Sequence, residues 1–356
     1  MELYFNMYKI KYVILDELLK DINFNNGEEI NIFINLESLL KQIKGTKEDR
    51  ENILSGPRRN LFLISCIFNL IAHYRRYFNK RHIYSNIFIY GPEGIEKSYL
   101  NKEYIIDYRK NINLLETTDT KSIGNMYKNS IIMLKEILSY VQNVYFITSG
   151  IIEPSVIPYI ITEDLNIKRD KTFLVTKDIY EYQYIKEDFY ILRPKMDNSK
   201  FINNTNIMTE MKNKTKCKNT VEPDNNFIPF ILSILGDSYR GIPKINKIGI
   251  ATIFKMIEKG IKDNVINNDV ENIMSLINIV DENNKNQVML NYLCTNIKEQ
   301  DKRLSNSEIS YIKRQLIDKY DAGYLKELND KFFIEYPLNI EDISHEISKK
   351  KKIIWG

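Results

Sequence analysis

The chain has 356 residues, with 51 Lys and Arg against 47 Asp and Glu and a formal net charge of +4. That length allows one large or two modest domains with a substantial core, and so small a charge excess does not by itself point to a nucleic-acid partner. Cys66, Cys217 and Cys294 are widely spaced, with no second Cys or His beside any of them, which excludes a zinc motif and a disulfide framework and indicates a reducing compartment.

In chain order, Met1 to Lys20 mixes Tyr, Lys, Asp and Glu with its apolar residues and has no small-residue cleavage pattern, so it does not read as a signal peptide. A strand is expected at 30–35. The longest apolar run, Leu61 to Ala72, is interrupted by Ser65 and Asn69 and leads into His73-Tyr74-Arg75-Arg76; it falls short of the ~20 residues of a membrane helix and reads as a buried helix of a soluble protein. Further strands are expected at 86–90, 143–148 and 172–176, separated by helical spacings such as Ile131-Leu134-Ile137-Leu138. Strands alternating with helices imply an α/β fold with a mostly parallel sheet covered on both faces. Its sites are expected at the carboxyl ends of the strands, where Asn35, Tyr90 and Asp178 fall. Residues 195–226 are rich in Asn, Lys and Thr and read as a polar excursion or linker. Beyond Gly260 the pattern is helical: Val270-Ile273-Met274-Ile277, then Ile309-Ile312-Leu316, with Ser305-Asn306-Ser307-Glu308 as a helix start. Lys349 to Lys352 read as a solvated charge run.

Four short blocks carry more information. Leu235-Gly236-Asp237-Ser238-Tyr239-Arg240-Gly241-Ile242-Pro243 with Lys244, Lys247 and Gly249 is similar to the L-x-G-D-x-x-D-N-I-P-G-V-x-G-I-G stretch that opens the helix-three-turn-helix of flap endonucleases and 5′-exonucleases. Thr172 to Gln183 resembles that family's V-S-G-D-x-D strand and loop, Ile151 to Ile157 its E-A-D-D-V segment, and Ile30 to Leu40 its first strand. Asn86 to Gly91 is similar to the V-x-F-D-G strand, and Tyr104 to Lys110 to the basic Y-K-x-x-R region. The shared order and spacing, over about residues 28 to 260, imply a PIN-like 5′-nuclease domain at 28–194 after an N-terminal extension (1–27). The linker (195–226), the helix-three-turn-helix (227–262) and a helical region (263–356) follow.

Members of this family cut phosphodiesters with two divalent ions held by a carboxylate cluster. Position by position, the resemblance puts Asn35, Tyr90, Ser155, Val156, Tyr180 and Arg240 where aspartates are expected, and leaves Glu153 and Asp178, with Asp237 at a more structural position. No catalytic residue, metal or other cofactor is therefore expected; if the chain is active, Mg2+ on Glu153 and Asp178 is the implied cofactor. Arg240 is expected to close the pocket by pairing with Glu153 or Asp178, since a guanidinium can replace a metal's charge but cannot activate water. Read one residue out of register, Arg240 is a surface residue and Glu181 or Glu37 supplies a ligand.

For DNA, the resemblance implies backbone contacts at the hairpin near Gly249 and a bound K+. Lys244 and Lys247 stand where glycines are usual, so direct phosphate contact replaces close backbone approach, or the hairpin serves packing alone. Arg75, Arg76, Arg109 and Lys110, interleaved with Tyr74, Tyr77 and Tyr108, are further DNA candidates; the same pattern suits a helix end packed under a loop. Gly91 to Ser98 imitates a phosphate loop, but Glu96 stands where its second glycine is required. His73, His82 and His345 lack ligand spacing. The reading is a nuclease scaffold that holds DNA or a protein partner in a viral assembly or replication complex, in the host cytoplasm or a virion, neither secreted nor membrane-bound. The alternative is an active structure-specific 5′-nuclease with a depleted metal site.

Overall fold

The computed structural model describes residues 15–36, 38, 58–93, 104, 131–193, 200–213, 223–238, 240–246, 248–266 and 273–333. Its centre is a six-stranded sheet of order β3-β2-β1-β4-β5-β6. The strands are β1 (Glu29–Asn35), β2 (Tyr84–Pro92), β3 (Val144–Ser149), β4 (Lys171–Val175), β5 (Phe189–Arg193) and β6 (Lys200–Ile202). Neighbouring strands from β3 to β5 pair in parallel, whereas β6 returns antiparallel on β5.

Alternation along β1 sorts the two cores: Ile30, Ile32 and Ile34 enter one and Phe33 the other, as the two-residue strand period requires. On the Phe33 face the register aligns Phe33, Phe88 and Tyr145 across three strands, with ring centroids 4.7 and 5.1 Å apart. On the other face Phe173, Tyr190 and Phe201 stack at 5.4 and 5.3 Å. Such offset cross-strand rows bury large areas and hold the register.

The first helix, α1 (Leu15–Leu18), places Leu15 and Leu19 in the Ile32 core together with α2 (Arg58–Asn79) and α3 (131–139). Residues 15–27, expected as an extension, thus belong to the α/β layer. Within 195–226, expected as a polar excursion or linker, the described residues form two further elements. This segment contributes β6 and α4 (Ile207–Asn213), whose Ile207, Met208 and Met211 are buried; three apolar residues on one helical face sufficed for docking despite the polar composition.

The Phe33 face is covered by α5 (Ile228–Leu235), α6 (Ile250–Lys262), α7 (Ile273–Ile277), α8 (Lys285–Thr295), α9 (Ile297–Asp301) and α10 (Asn306–Lys313). Ser305 and Glu308 form a complete capping box at the start of α10. The chain then crosses to the opposite core, where Leu325 of α11 (Ala322–Phe332) and Phe333 are buried. On the way Gln315 covers the open edge of β3, donating to the Thr148 carbonyl at 2.9 Å and accepting from its amide at 3.1 Å. An edge strand is thereby denied to other chains.

Between α5 and α6 the chain turns at Gly236, with φ of +62°. A Cβ there would lie 2.6 Å from the Lys244 amide nitrogen and 2.7 Å from the Ile242 carbonyl. Only glycine accepts both the left-handed backbone and that approach, and the turn lets Asp237 pair with Ile242. Gly236→Ala should cost about 2 kcal/mol or more, read from the midpoint of urea unfolding; a midpoint equal to that of the parent chain would contradict this account of the turn.

Candidate carboxylate–arginine site

At the carboxyl ends of β1, β2 and β4 the sheet and the α5–α6 loop meet. Glu153 follows β3 and precedes the 154–156 turn; Asp178 follows β4 and caps the turn Ile179–Tyr184 by accepting from the Tyr180 amide at 3.0 Å. The tight turn after Gly236 carries Arg240 to the same point. Its Nε donates to Glu153 Oε1 at 3.2 Å, and its Nη1 donates to Asp237 Oδ2 at 2.8 Å and Asp178 Oδ1 at 3.3 Å. Nη2 pairs with Asp178 Oδ2. The guanidinium carbon lies 4.3 Å from the centroid of the buried Tyr180 ring, and Arg240 is 3% and Glu153 1% exposed. A guanidinium suits this position because its planar fork offers five donors.

A second cluster adjoins the first. Asn35 and Tyr90 face each other across β1 and β2, and both donate to Glu181 Oε1, at 2.8 and 2.6 Å. Burial, reinforced by the charge of Asp178, pushes the Glu181 carboxyl up to about 8, against the opposing effect of hydrogen bonds from Thr176, Tyr90 and Asn35. Burial and the Glu181 charge likewise hold the Tyr90 hydroxyl well above its ordinary range.

A magnesium site needs several oxygens with room for water around the ion. Here the inward oxygens of Glu153, Asp178 and Asp237 are spent on Arg240, Tyr180 closes one side, and Asn35 and Tyr90 turn donors on Glu181. Glu181 Oε2 is the one oxygen of that carboxyl left without a hydrogen-bond partner. Among the described residues no three His, Cys, Asp or Glu side chains are arranged to hold an ion. This arrangement does not fit a two-metal centre.

The other candidates are dispersed. Arg75 is fully buried, where it donates to the Gln142 carbonyl, and burial pulls its guanidinium down to about 10; it is no surface contact. Its helix α2 runs against the strand direction between two parallel strands, so Arg76, though exposed, lies with Arg75 at the end of the sheet opposite the carboxylates. Arg81 on the same end stacks on Tyr77 and pairs with Asp16 at 2.6 Å. Lys244 is exposed, and Gly249 is the N-cap of α6. Arg109, Lys110 and Lys247, like Lys349 to Lys352, fall outside the described residues. Sequence reading also missed a row of lysines on α6. Lys255, Lys259 and Lys262 recur at helical spacing on its exposed side; the +4 and +3 intervals were the available signal.

Sheet order, connectivity and the position of the carboxylates at the strand ends define a PIN-like 5′-nuclease fold with a helical C-terminal part. The flap endonuclease D15 of bacteriophage T5, as an aspartate-to-lysine variant in a pseudo-enzyme–product complex with DNA and metal ions, superposes with a TM-score of 0.57 at 11% identity, over 81% of this chain and 97% of that one. T5 D15 crystallised with metal ions gives a TM-score of 0.55 at 14% identity, and the T5 5′-exonuclease with zinc gives 0.55 at 13%; each match covers 81% of this chain and 98% of the other. No family model and no curated relative matches the sequence.

Removing one partner of a buried ion pair leaves the others uncompensated, so Arg240→Ala should lower the unfolding free energy by about 3–5 kcal/mol. Denaturant unfolding identical to the parent would show that Arg240 does not hold the site. For Glu181 the folded carboxyl binds its proton more tightly than the unfolded one. Its contribution is therefore full below the ordinary glutamate range and is lost as pH rises through about 8. Glu181→Gln keeps the neutral shape and should flatten the decline in stability between about pH 5 and 8; an unchanged pH profile of the melting temperature would refute a neutral Glu181.

Proposed function

We propose that this chain is a 5′-nuclease scaffold that holds DNA without hydrolysing it, as a binding or structural component of a viral assembly or replication complex. The observation that carries the reading is Arg240, whose guanidinium occupies the point where carboxylates of a metal-dependent nuclease would converge on ions. A guanidinium can neutralise those carboxylates and orient a phosphate. It can neither lower the pKa of a bound water nor exchange with a metal ion.

Support for DNA comes from α6 and the loop before it. Lys244, Lys255 and Lys259 are exposed and make no ion pair among the described residues, while Lys262 pairs with Glu258 at 2.7 Å. Lysines at positions i and i+4 on one helix face suit the sequence-independent contacts that phosphates accept. The T5 D15 complex contains DNA, which agrees with this use of the scaffold. The second reading, a 5′-nuclease with a depleted Mg2+ site, draws on one feature: Glu181 brings a further carboxylate beside Glu153, Asp178 and Asp237.

Two measurements separate the readings. Incubation with flap, nicked and single-stranded DNA in Mg2+ or Mn2+ should yield no product; cleavage that disappears in both Glu153→Ala and Asp178→Ala would establish the nuclease instead. Duplex DNA should bind without sequence preference, with log K falling against log salt by about 0.9 per phosphate neutralised. Lys255→Ala/Lys259→Ala should then reduce that slope by about 2. Absence of binding at about 20 mM salt would remove DNA as the partner.

A further inference from the structure

One helix holds both loops of the carboxylate–arginine site. On α8, Asn291 and Thr295 stand one turn apart and therefore on the same face, and both are 0% exposed.

The turn that carries Arg240 is closed on itself by two hydrogen bonds between Asp237 and Ile242, at 2.9 and 2.8 Å. Its exit is tied to the helices by the Ile245 amide, which donates to the Ile234 carbonyl of α5 at 3.0 Å, and by Asn291. The Asn291 Nδ2 donates to the Pro243 carbonyl and to the Ser233 carbonyl in the last turn of α5, each at 2.7 Å, while Oδ1 accepts from Gln287 Nε2 at 3.0 Å. A primary amide suits this position, because a hydroxyl has a single donor and an ionised carboxylate has none. Pro243 lies between Arg240 and the exposed Lys244, so the place of its carbonyl bears on both cations.

The other loop is held one turn along the same face. Gln183 Nε2 donates to the Thr295 carbonyl at 2.7 Å and to the Tyr180 carbonyl at 2.9 Å, and its Oε1 accepts from the Ile297 amide at 3.2 Å. That threonine carbonyl ends α8 and that amide begins α9, so neither has a partner within its own helix. Tyr180, whose ring centroid lies 4.3 Å from the guanidinium carbon, is thus held to the same helix as Arg240.

We propose that Asn291 is the positioning residue that seats the Arg240 turn and, through Pro243, aims Lys244 at DNA; the second half rests on the DNA reading above. Without its amide the Ser233 carbonyl loses its donor at a buried position, and the turn is released from the helix that also holds Tyr180.

Denaturant unfolding of the full chain carrying Asn291→Ala, Arg240→Ala or both reads the first half. Seating by Asn291 makes the two losses overlap, so Arg240→Ala should raise the unfolding constant by a factor at least about fivefold smaller in the Asn291→Ala background than in the parent. Leu325→Ala, buried in the opposite core, is the control background and should leave the factor for Arg240→Ala unchanged to within about twofold. Additive losses for Asn291 and Arg240 overturn the proposal. If the double variant does not fold, Asn291→Ser and Arg240→Lys, milder at both positions, enter the same cycle under the same criterion.

Duplex-DNA binding by the folded Asn291 variant reads the second half, through a quantity that a loss of stability alone does not move. The slope of log K against log salt should fall by about 1, the share of one phosphate contact, and Lys244→Ala should lower it no further in that background. A slope equal to that of a DNA-binding parent overturns the aiming of Lys244. A parent that binds no duplex withdraws the Lys244 half together with the DNA reading, and the unfolding cycle still decides the seating of Arg240.

Discussion

One guanidinium among three carboxylates organises the site end of this molecule. Glu153, Asp178 and Asp237 arrive from the end of β3, the end of β4 and the turn after α5, and each accepts from Arg240. Without a counter-charge, three carboxylates converging in so dry a space would repel one another and lose their hydration. A nuclease of this fold answers that problem with exchangeable divalent ions. Here the answer is covalently attached. The guanidinium carbon also lies 4.3 Å from the centroid of the Tyr180 ring, where a cation over a ring is favourable. Such an arrangement need not be more stable than an apolar core of the same shape. It does lock three chain segments into one geometry, because each carboxylate needs the same partner.

The neighbouring cluster follows from the same charge balance. One arginine does not neutralise a fourth buried carboxylate, and burial beside Asp178 holds the Glu181 carboxyl well above the ordinary glutamate range. Asn35 and Tyr90 make this workable, since neither brings a charge and each donates to Glu181. An aspartate at either position would set a carboxylate against Glu181 Oε1, where Asn35 and Tyr90 now donate to it. Asn35, Tyr90, Tyr180 and Arg240 thus surround one group of buried and half-buried carboxylates.

The two ends of the sheet then differ in chemistry. At the carboxyl end lie the locked carboxylates; on the helical side, lysines run along α6. At the amino end lie Arg75, buried against the Gln142 carbonyl, and Arg81, stacked on Tyr77. Parallel βαβ connectivity is responsible for this division. Each helix between two parallel strands runs backward, so basic residues at the end of α2 are carried away from the site that a linear reading places beside them.

Much of the scaffold was legible in the sequence. The strands expected at 30–35, 86–90, 143–148 and 172–176 are β1 to β4 to within two residues at each end, because a buried parallel strand needs an uninterrupted run of β-branched and aromatic residues. The start of α10 was legible from Ser305 and Glu308, whose capping chemistry is local. β5 and β6 were not: Phe189 to Arg193 is short, and Lys200 to Ile202 becomes a strand only because β5 offers it an edge. Within 195–226, where composition indicated a polar excursion or linker, Ile207, Met208 and Met211 are buried. In the site, Glu153, Asp178 and Arg240 could be named from motif spacing, whereas the roles of Asn35, Tyr90 and Glu181 could not, since they depend on the parallel register of β1 with β2 and on the turn that aims Glu181 inward. Arg75 illustrates the limit most directly. By itself the sequence determined which residues are apolar at which period and where caps and turns belong, since these are properties of neighbours along the chain. Only the tertiary structure decided which charges are buried, which are paired and which face solvent, because those depend on distances between residues far apart in sequence and on how much water remains between them.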